Sequence, residues 1–430
     1  MIGGLKQTTS RLAIAAATGL FMGGIALTPV QAASLGGDCC ADLEERVAEL
    51  EATTVRKGNR KVSVKLSGQV NRAILWWGDG EDDDVYFVDT DNSSTRFRIT
   101  GSATISPGRT AGFKIEADWF IRNNSSAVTN CDASTRSSGQ ANCKADSAGA
   151  VGTDMRQQVL WIRDDGLGTI SLGQSDMASN GVSEVDLSGT SVAQYAGMAD
   201  IGAAFVFRTS GGSFTTIQLR NAYSQQDGLS RKVRLRYDTP SIGGFTLSTS
   251  VAADDLVDVA LRFKKEWNSV RCAWAGAISH DTTEQGREHN GTRVSDDRWV
   301  YNTSGSCLHT PSGLNLTLGW AETDEGVDDV DQGWWFVKAG ISRRWNAHGK
   351  TSISVQYANS SDRLSSVSAT TGVATNLSDE LDSFGIAFVQ KIDAAALELY
   401  AAYSRHELDD NTATSFQDLD FFLMGARMKF

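Results

Sequence analysis

Outside its first 35 residues the chain has no run of 18 or more apolar residues, so no helix of it is expected to span a membrane. Histidine is scarce. The five present, His280, His289, His309, His348 and His406, have no metal-binding or triad-like neighbours in sequence. There is no G-x-S-x-G elbow, H-E-x-x-H motif or phosphate loop, and no Cys/His spacing of a zinc site. Catalysis, a metal and a cofactor are therefore not expected. Cations are the minority charge: 40 Lys and Arg against 52 Asp and Glu leave −12, which argues against nucleic-acid binding. Proline numbers 4 against 42 glycines in 430 residues, and 40% of residues are hydrophobic. That balance is odd for a compact soluble protein, and the length suits two or three ordinary domains or one large closed sheet.

What is present begins with an address. Lys6 and Arg11 precede the apolar stretch LAIAAATGLFMGGIAL (Leu12–Leu27), and Val30 and Ala32 stand at small-residue cleavage positions. This predicts a signal peptide over 1–32. Residues 33–60 read as a periplasmic N-terminal segment. In DCCADLEERVAELEATT, Leu43, Val47 and Leu50 fall at i, i+4 and i+7, a short amphipathic helix with a coiled-coil stripe. About 15 residues is marginal for a lone helix. It is either a self-associating coil or a frayed linker.

From Lys61 to the end, residues 61–430, the apolar period is two. Phe97, Ile99, Ala103 and Ile105 alternate with Arg96, Arg98, Thr100, Ser102 and Thr104. Phe113, Ile115, Ala117 and Trp119 alternate with Lys114, Glu116 and Asp118. The same holds for Val233, Leu235 and Tyr237, for Leu314, Leu316 and Leu318, and for Ile353, Val355 and Tyr357. Tight turns (SPGRT, DDGLG, SIGG, TPSG, NAHG) alternate with long polar loops at 121–153, 174–200, 281–297 and 360–380. Short turns on one rim and long loops on the other describe an up-and-down meander. The alternation predicts about 18 strands.

Two all-β architectures fit repeated alternation. A soluble sandwich buries the apolar face; a transmembrane β-barrel turns it to lipid and lines its interior with polar groups. Strands of about 9–11 residues match a tilted bilayer crossing. The polar faces carry ladders of charge. Aromatics cluster near strand ends, at Trp76, Trp77, Trp119, Phe120, Trp267, Trp334, Trp335, Trp345 and Tyr403, as in interfacial girdles. A closed antiparallel barrel also leaves no unpaired edge in lipid. These features favour the barrel.

Six cysteines in an exported chain permit disulfides. Cys131 and Cys143 flank a Ser-rich stretch and either close a small loop or stay free. Cys272 and Cys307 lie at matching places on consecutive strands, as a cross-strand disulfide or as two thiols. In the last strand, DFFLMGARMKF, Phe422, Met424, Ala426, Met428 and Phe430 form an apolar face opposite Arg427 and Lys429. Phe421 and Leu423 break that pattern from the polar side.

The segments DCCADLEERVAELEATTVRKGNRKVSVKLSGQVNRAILWW, GTISLGQSD and SEVDLSGT and the terminal Phe430 resemble the outer-membrane porins of α-proteobacteria. The resemblance runs over nearly the whole mature chain. It implies a homotrimer of (usually) 16-stranded barrels in the outer membrane of a Gram-negative bacterium. Such barrels pass small hydrophilic solutes and ions by diffusion, and one long loop folds inward to narrow the pore. Here that loop follows the fifth strand and carries Asp176, Glu184, Asp186 and Asp200 with no cation. Neighbouring strands offer Arg96, Arg98, Lys114, Arg220, Lys232, Arg234 and Arg236. An acidic loop against a basic wall sets a transverse field across a pore constriction; the alternative is an ordinary outer loop whose neighbouring arginines pair among strands. The run GDGEDDDVYFVDTDN (Gly78–Asn92) reads as a solvated loop, or as carboxylates bridging through divalent cations to lipopolysaccharide. A substrate-selective channel and a structural or adhesive barrel with a filled lumen remain alternatives to general diffusion.

Overall fold

The structure is a computed structural model that describes residues 61–430 except 121–122, 132–151, 254, 282–287, 290–291, 294–297, 326–330, 365, 368–373, 376–377 and 412–413. The signal peptide, the N-terminal helix, Cys39 and Cys40 lie outside the described residues.

Seventeen strands form one antiparallel sheet. They are β1 (Ser63–Gly78), β2 (Asp83–Val88), β3 (Arg96–Ser106), β4 (Arg109–Phe120), β5 (Gly152–Asp164), β6 (Gly168–Asp176), β7 (Arg231–Asp238), β8 (Phe245–Ala252) and β9 (Val257–Trp267), followed by β10 (Val270–Asp281), β11 (Arg298–His309), β12 (Leu314–Asp324), β13 (Gln332–Asn346), β14 (Gly349–Ser361), β15 (Asp379–Ile392), β16 (Leu397–Asp410) and β17 (Leu419–Lys429). On one edge β1 pairs with β17, from Gln69↔Lys429 to Gly78↔Asp420. On its other edge the lower half of β1 pairs with β3 and the upper half with β2. β2 and β3 are therefore two halves of one position, and the barrel closes with 16 strands. The count of about 18 is too high. Alternating segments that make no barrel position of their own, such as the hairpin Val206–Arg208/Phe214–Gln218 inside the 177–230 loop, carry the same period.

The side chains are inverted relative to a soluble protein. Leu160, Ile162, Leu172, Leu314, Leu318 and Val355 are exposed on the outside, while Ser250, Ser304, Ser306, Thr317 and Ser354 are buried on the inside. Exposing so many large apolar residues to water is unfavourable at about 25 cal/mol per Å²; lipid removes that penalty. Trp119, Trp267, Trp335 and Trp345 belong to this outer surface. Trp77 and Trp334 do not: they are 4% and 2% exposed and point inward, so the girdle reading is corrected for these two.

They point inward because the lumen contains an apolar core. In the loop 177–230, Phe205, Phe207, Leu219 and Tyr223 pack with Leu75, Trp77, Trp334, Leu381, Phe421 and Leu423 of the inner wall. This explains the interrupted alternation of the last strand. Phe421 and Leu423 face the lumen, but beneath the loop rather than in water; the Phe205 and Phe421 rings meet edge to face at 4.9 Å. Gly202 makes the close approach. It has φ +82, and a Cβ there would lie 2.2 Å from the Phe421 ring.

Cys272 and Cys307 face each other in the β10–β11 register and form a disulfide, so the two-thiol alternative is set aside. Cys131 is also disulfide-bonded; Cys143 lies outside the described residues.

Gly202→Val is expected to lift the loop from the wall. Overpacking of this kind costs about 1–3 kcal/mol, measurable as a lower temperature for loss of the folded band in semi-native electrophoresis. The single-channel current is expected to become noisier.

Candidate pore constriction

The loop 177–230 folds inward because the inner wall supplies what its backbone needs. A buried loop must pair its N–H and C=O groups. At its start the Asp258 carboxylate accepts the Ser179 N–H at 2.7 Å and the Ala178 N–H at 3.3 Å. Arg262 donates to the Ala178 and Asn180 carbonyls at 2.7 and 2.9 Å. Arg236 donates to the Met177 carbonyl at 2.9 Å, and Arg234 to that of Asp176 at 2.9 Å. Further along, the Val185 and Leu187 N–H groups donate to the Ser304 and Ser306 hydroxyls, each at 3.0 Å. Ser and Thr on the inner face of β11–β14 are thus seats for a second layer of chain.

One buried ion pair pins the middle of the loop. Asp186 accepts from Lys338 of β13 at 2.8 Å, and the same ammonium donates to the Gln194 carbonyl at 2.8 Å. Lys338 is 0% exposed. Near the long-loop rim, Arg208 of the inner hairpin bridges Asp79 at 2.8 Å and Asp82 at 2.7 Å. Two carboxylates of the Gly78–Asn92 run therefore hold the hairpin; they are not merely solvated.

What the loop leaves open is a cavity of about 580 Å³. Asp91, Glu184, Tyr195, Asp200, Gln225 and Asp227 line it, as do Arg96, Arg156, Arg231 and Arg427. Each of these arginines has a carboxylate beside it. Arg156 reaches Asp118 at 2.9 Å and Glu116 at 3.2 Å, and Arg96 reaches the same two at 3.4 and 3.6 Å. Arg231 pairs with Asp176 at 2.9 Å, and Arg427 with Glu398.

The residues predicted from sequence separate into three groups. Arg96, Glu184 and Asp200 line the cavity. Arg98 and Lys114 stand on the adjacent wall, paired with Glu116 at 2.5 and 3.4 Å; Lys232 shares the face of Arg234 by alternation and is exposed. Asp176, which accepts from the Asn180 side chain at 3.1 Å, and Asp186, Arg234 and Arg236 hold the loop rather than line the cavity. Arg220 is a correction. It sits in the helical turn Leu219–Ala222 of the loop itself, not on a strand, and donates to the Ala203 carbonyl at 3.1 Å. Sequence reasoning missed Arg156, Arg231, Asp91, Asp227 and Lys338. Arg156 carried a signal, since it precedes the alternating run QQVLWIRD; Lys338 carried none, because its partner is 152 residues away.

The loop acids are poor acids. Burial, reinforced by the nearby Asp91 carboxylate, pushes Asp200 up to about 8, and the Tyr195 hydroxyl donates to it. Burial also raises Glu184, and raises Asp227 further with repulsion from Glu184. At neutral pH part of the loop charge is therefore masked by protons.

A charged, water-accessible eyelet inside a closed transmembrane barrel defines a channel of the outer membrane. The family model for Gram-negative porins matches residues 15–411, and the chain belongs to that family. It forms a water-filled outer-membrane channel for general diffusion. Among solved structures it is similar in fold to an anion-selective porin from Comamonas acidovorans, at 13% identity and TM-score 0.54, over 86% of this chain and 100% of that one. It is likewise similar to OmpT, an outer membrane protein of Vibrio cholerae, at 13% and 0.50, over 87% and 99%. OmpF of Salmonella typhi, in complex with daunomycin, gives 15% and 0.50, over 87% and 99%. No curated protein matches the chain.

Raising the pH through about 8 removes the Asp200 proton and adds negative charge to the loop. Cation preference is therefore expected to rise between acid and alkaline pH, read as reversal potential in a salt gradient, and to flatten in Asp200→Asn. Lys338→Met leaves Asp186 buried without its partner, a change that typically costs about 3–5 kcal/mol; in thermal denaturation the double variant Lys338→Met/Asp186→Leu should recover most of it.

Proposed function

We propose that the chain is a homotrimeric general diffusion porin of the α-proteobacterial kind, with the 177–230 loop as its constriction and a preference for cations that develops as the pH rises. Mature protein would begin after Ala32, with 33–60 as a periplasmic segment and 61–430 as the barrel. The acidic long-loop rim would meet lipopolysaccharide. The mechanism is passive: lining charges replace part of a solute's hydration, and the eyelet excludes by size and field.

The observation that supports cation preference is the pattern of pairing. Arg96, Arg156, Arg231 and Arg427 are each offset by a carboxylate among Glu116, Asp118, Asp176 and Glu398. Among the described residues, Asp91, Glu184, Asp200 and Asp227 of the same cavity have no cation at ion-pair distance. On the wall four cations, Arg96, Arg98, Lys114 and Arg156, share two carboxylates, Glu116 and Asp118. The four cavity acids outweigh that surplus once Glu184, Asp200 and Asp227 have lost their protons, so the balance turns negative as the pH rises. The fold relative from Comamonas is named for the opposite preference; fold alone does not set the sign.

In planar bilayers under a KCl gradient at alkaline pH, above the Asp200 transition near 8, the reversal potential is expected to favour K⁺. Arg96→Ala/Arg156→Ala should raise the cation-to-anion permeability ratio by about 2-fold or more, because Glu116 and Asp118 lose their partners. Asp91→Asn/Glu184→Gln should lower it. A wild-type anion preference at that pH, or a ratio unmoved by both variants, would sink the constriction reading. Absence of current from folded protein would sink the channel.

A further inference from the structure

The charge of this barrel is polarised along its axis as well as across it. Strand alternation fixes which side chains face the lumen, since Ala73, Ala260, Ala273, Ser352 and Leu423 are buried on the inner face. Followed to the short-turn rim, that face ends in cations: Lys65 on β1, Lys264 on β9, Arg271 on β10, Lys350 on β14 and Lys429 on β17. Lys65, Lys264 and Lys350 are exposed, with no carboxylate within ion-pair distance among the described residues. The acids nearby are already matched. Glu398 is shared by Arg427, Lys391 and Lys429, and Glu266 pairs with Arg271.

The other rim is its opposite. Residues 79–84 hold five acids and no cation; Asp79 and Asp82 are matched by Arg208. Glu81, Asp83 and Asp84 are exposed. Below them Asp91 lines the eyelet, where Glu184, Asp200 and Asp227 add negative charge as they lose their protons. Fixed charge thus runs from acidic at the long-loop mouth and the eyelet to basic at the short-turn mouth.

We propose that this axial polarity makes the pore rectify: at low salt it conducts more current when the long-loop side is positive than when it is negative. With that polarity, cations enter through the acidic mouth and anions through the basic one, and both accumulate around the eyelet. With the field reversed, each mouth admits the ion it repels, and the eyelet is depleted of carriers. The effect depends on screening. The Debye length is about 3 Å at 1 M salt and about 30 Å at 0.01 M, so the mouths act on the whole lumen only in dilute salt. A solute carrying positive charge is correspondingly concentrated at the long-loop mouth and released past a basic exit.

This inference rests on the diffusion-channel reading, and the two fail differently. Full-length protein is inserted into planar bilayers, with orientation assigned by an epitope inserted after Ser361 and an antibody added from one chamber. Conductance in about 1 M KCl tests the channel itself, and there the current is expected to be equal at opposite voltages. In about 0.01 M KCl the current with the long-loop side positive is expected to exceed the reverse current by about 2-fold. Lys65→Gln/Lys264→Gln/Lys350→Gln should bring that ratio toward one, with conductance in concentrated salt unchanged. Glu81→Gln/Asp83→Asn/Asp84→Asn should do the same from the other mouth. A linear response in dilute salt, the opposite polarity, or a ratio unaltered by both triple variants would overturn the proposal while leaving the channel intact. No current in concentrated salt would overturn both.

Discussion

Hydrocarbon cannot hydrogen-bond a backbone, and the rest of this structure depends on that fact. Every N–H and C=O at membrane depth must be paired within the protein, which forces the sheet to close on itself. Here closure is the pairing of β1 with β17 from Gln69↔Lys429 to Gly78↔Asp420. Closure encloses a lumen, and a lumen of 16 strands is wide. Narrowing it by side chains alone would need very long residues around the whole wall. The chain instead lays a second layer of backbone inside the first, and the same demand for pairing recurs there. Ser304, Ser306, Asp258, Arg236 and Arg262 meet it.

This two-layer construction accounts for the division of labour among charges. Cations that touch loop carbonyls, such as Arg234 and Arg262, fix its position. Cations flanked by Glu116 and Asp118 present a rigid wall in which four cations share two carboxylates. The carboxylates left without such partners are the ones a passing solute meets. Buried ion pairs such as Asp186–Lys338 contribute little net stability as a class, but removing one partner is costly. They serve here as register pins, selecting one path for the loop across a surface of otherwise similar Ser and Ala residues.

Much of the outer layer could be read from the sequence, because lipid contact imposes a strict period of two. Leu314, Leu316 and Leu318 show it without interruption, and all three are exposed on the barrel. The inner layer was less legible. Trp77 and Trp334 look like girdle residues until the loop that covers them is known. Phe421 and Leu423 look like errors in a polar face for the same reason. Arg220 sits in sequence among alternating residues but in space on the loop, since the segment Val206–Gln218 pairs with itself rather than with the barrel. Acidic character pointed to the loop. Its anchors came from partners such as Lys338 that lie far along the chain.

The seat of the loop is assembled from both ends of the barrel. Leu75 and Trp77 come from the first strand, and Phe421 and Leu423 from the last. Phe205 lies between the two, with its ring edge to face against both Trp77 and Phe421, and Gly202 approaches Phe421. Closure of the sheet and support of the narrowing therefore share residues. The pairing that seals the protein against lipid also carries part of the floor on which its constriction rests.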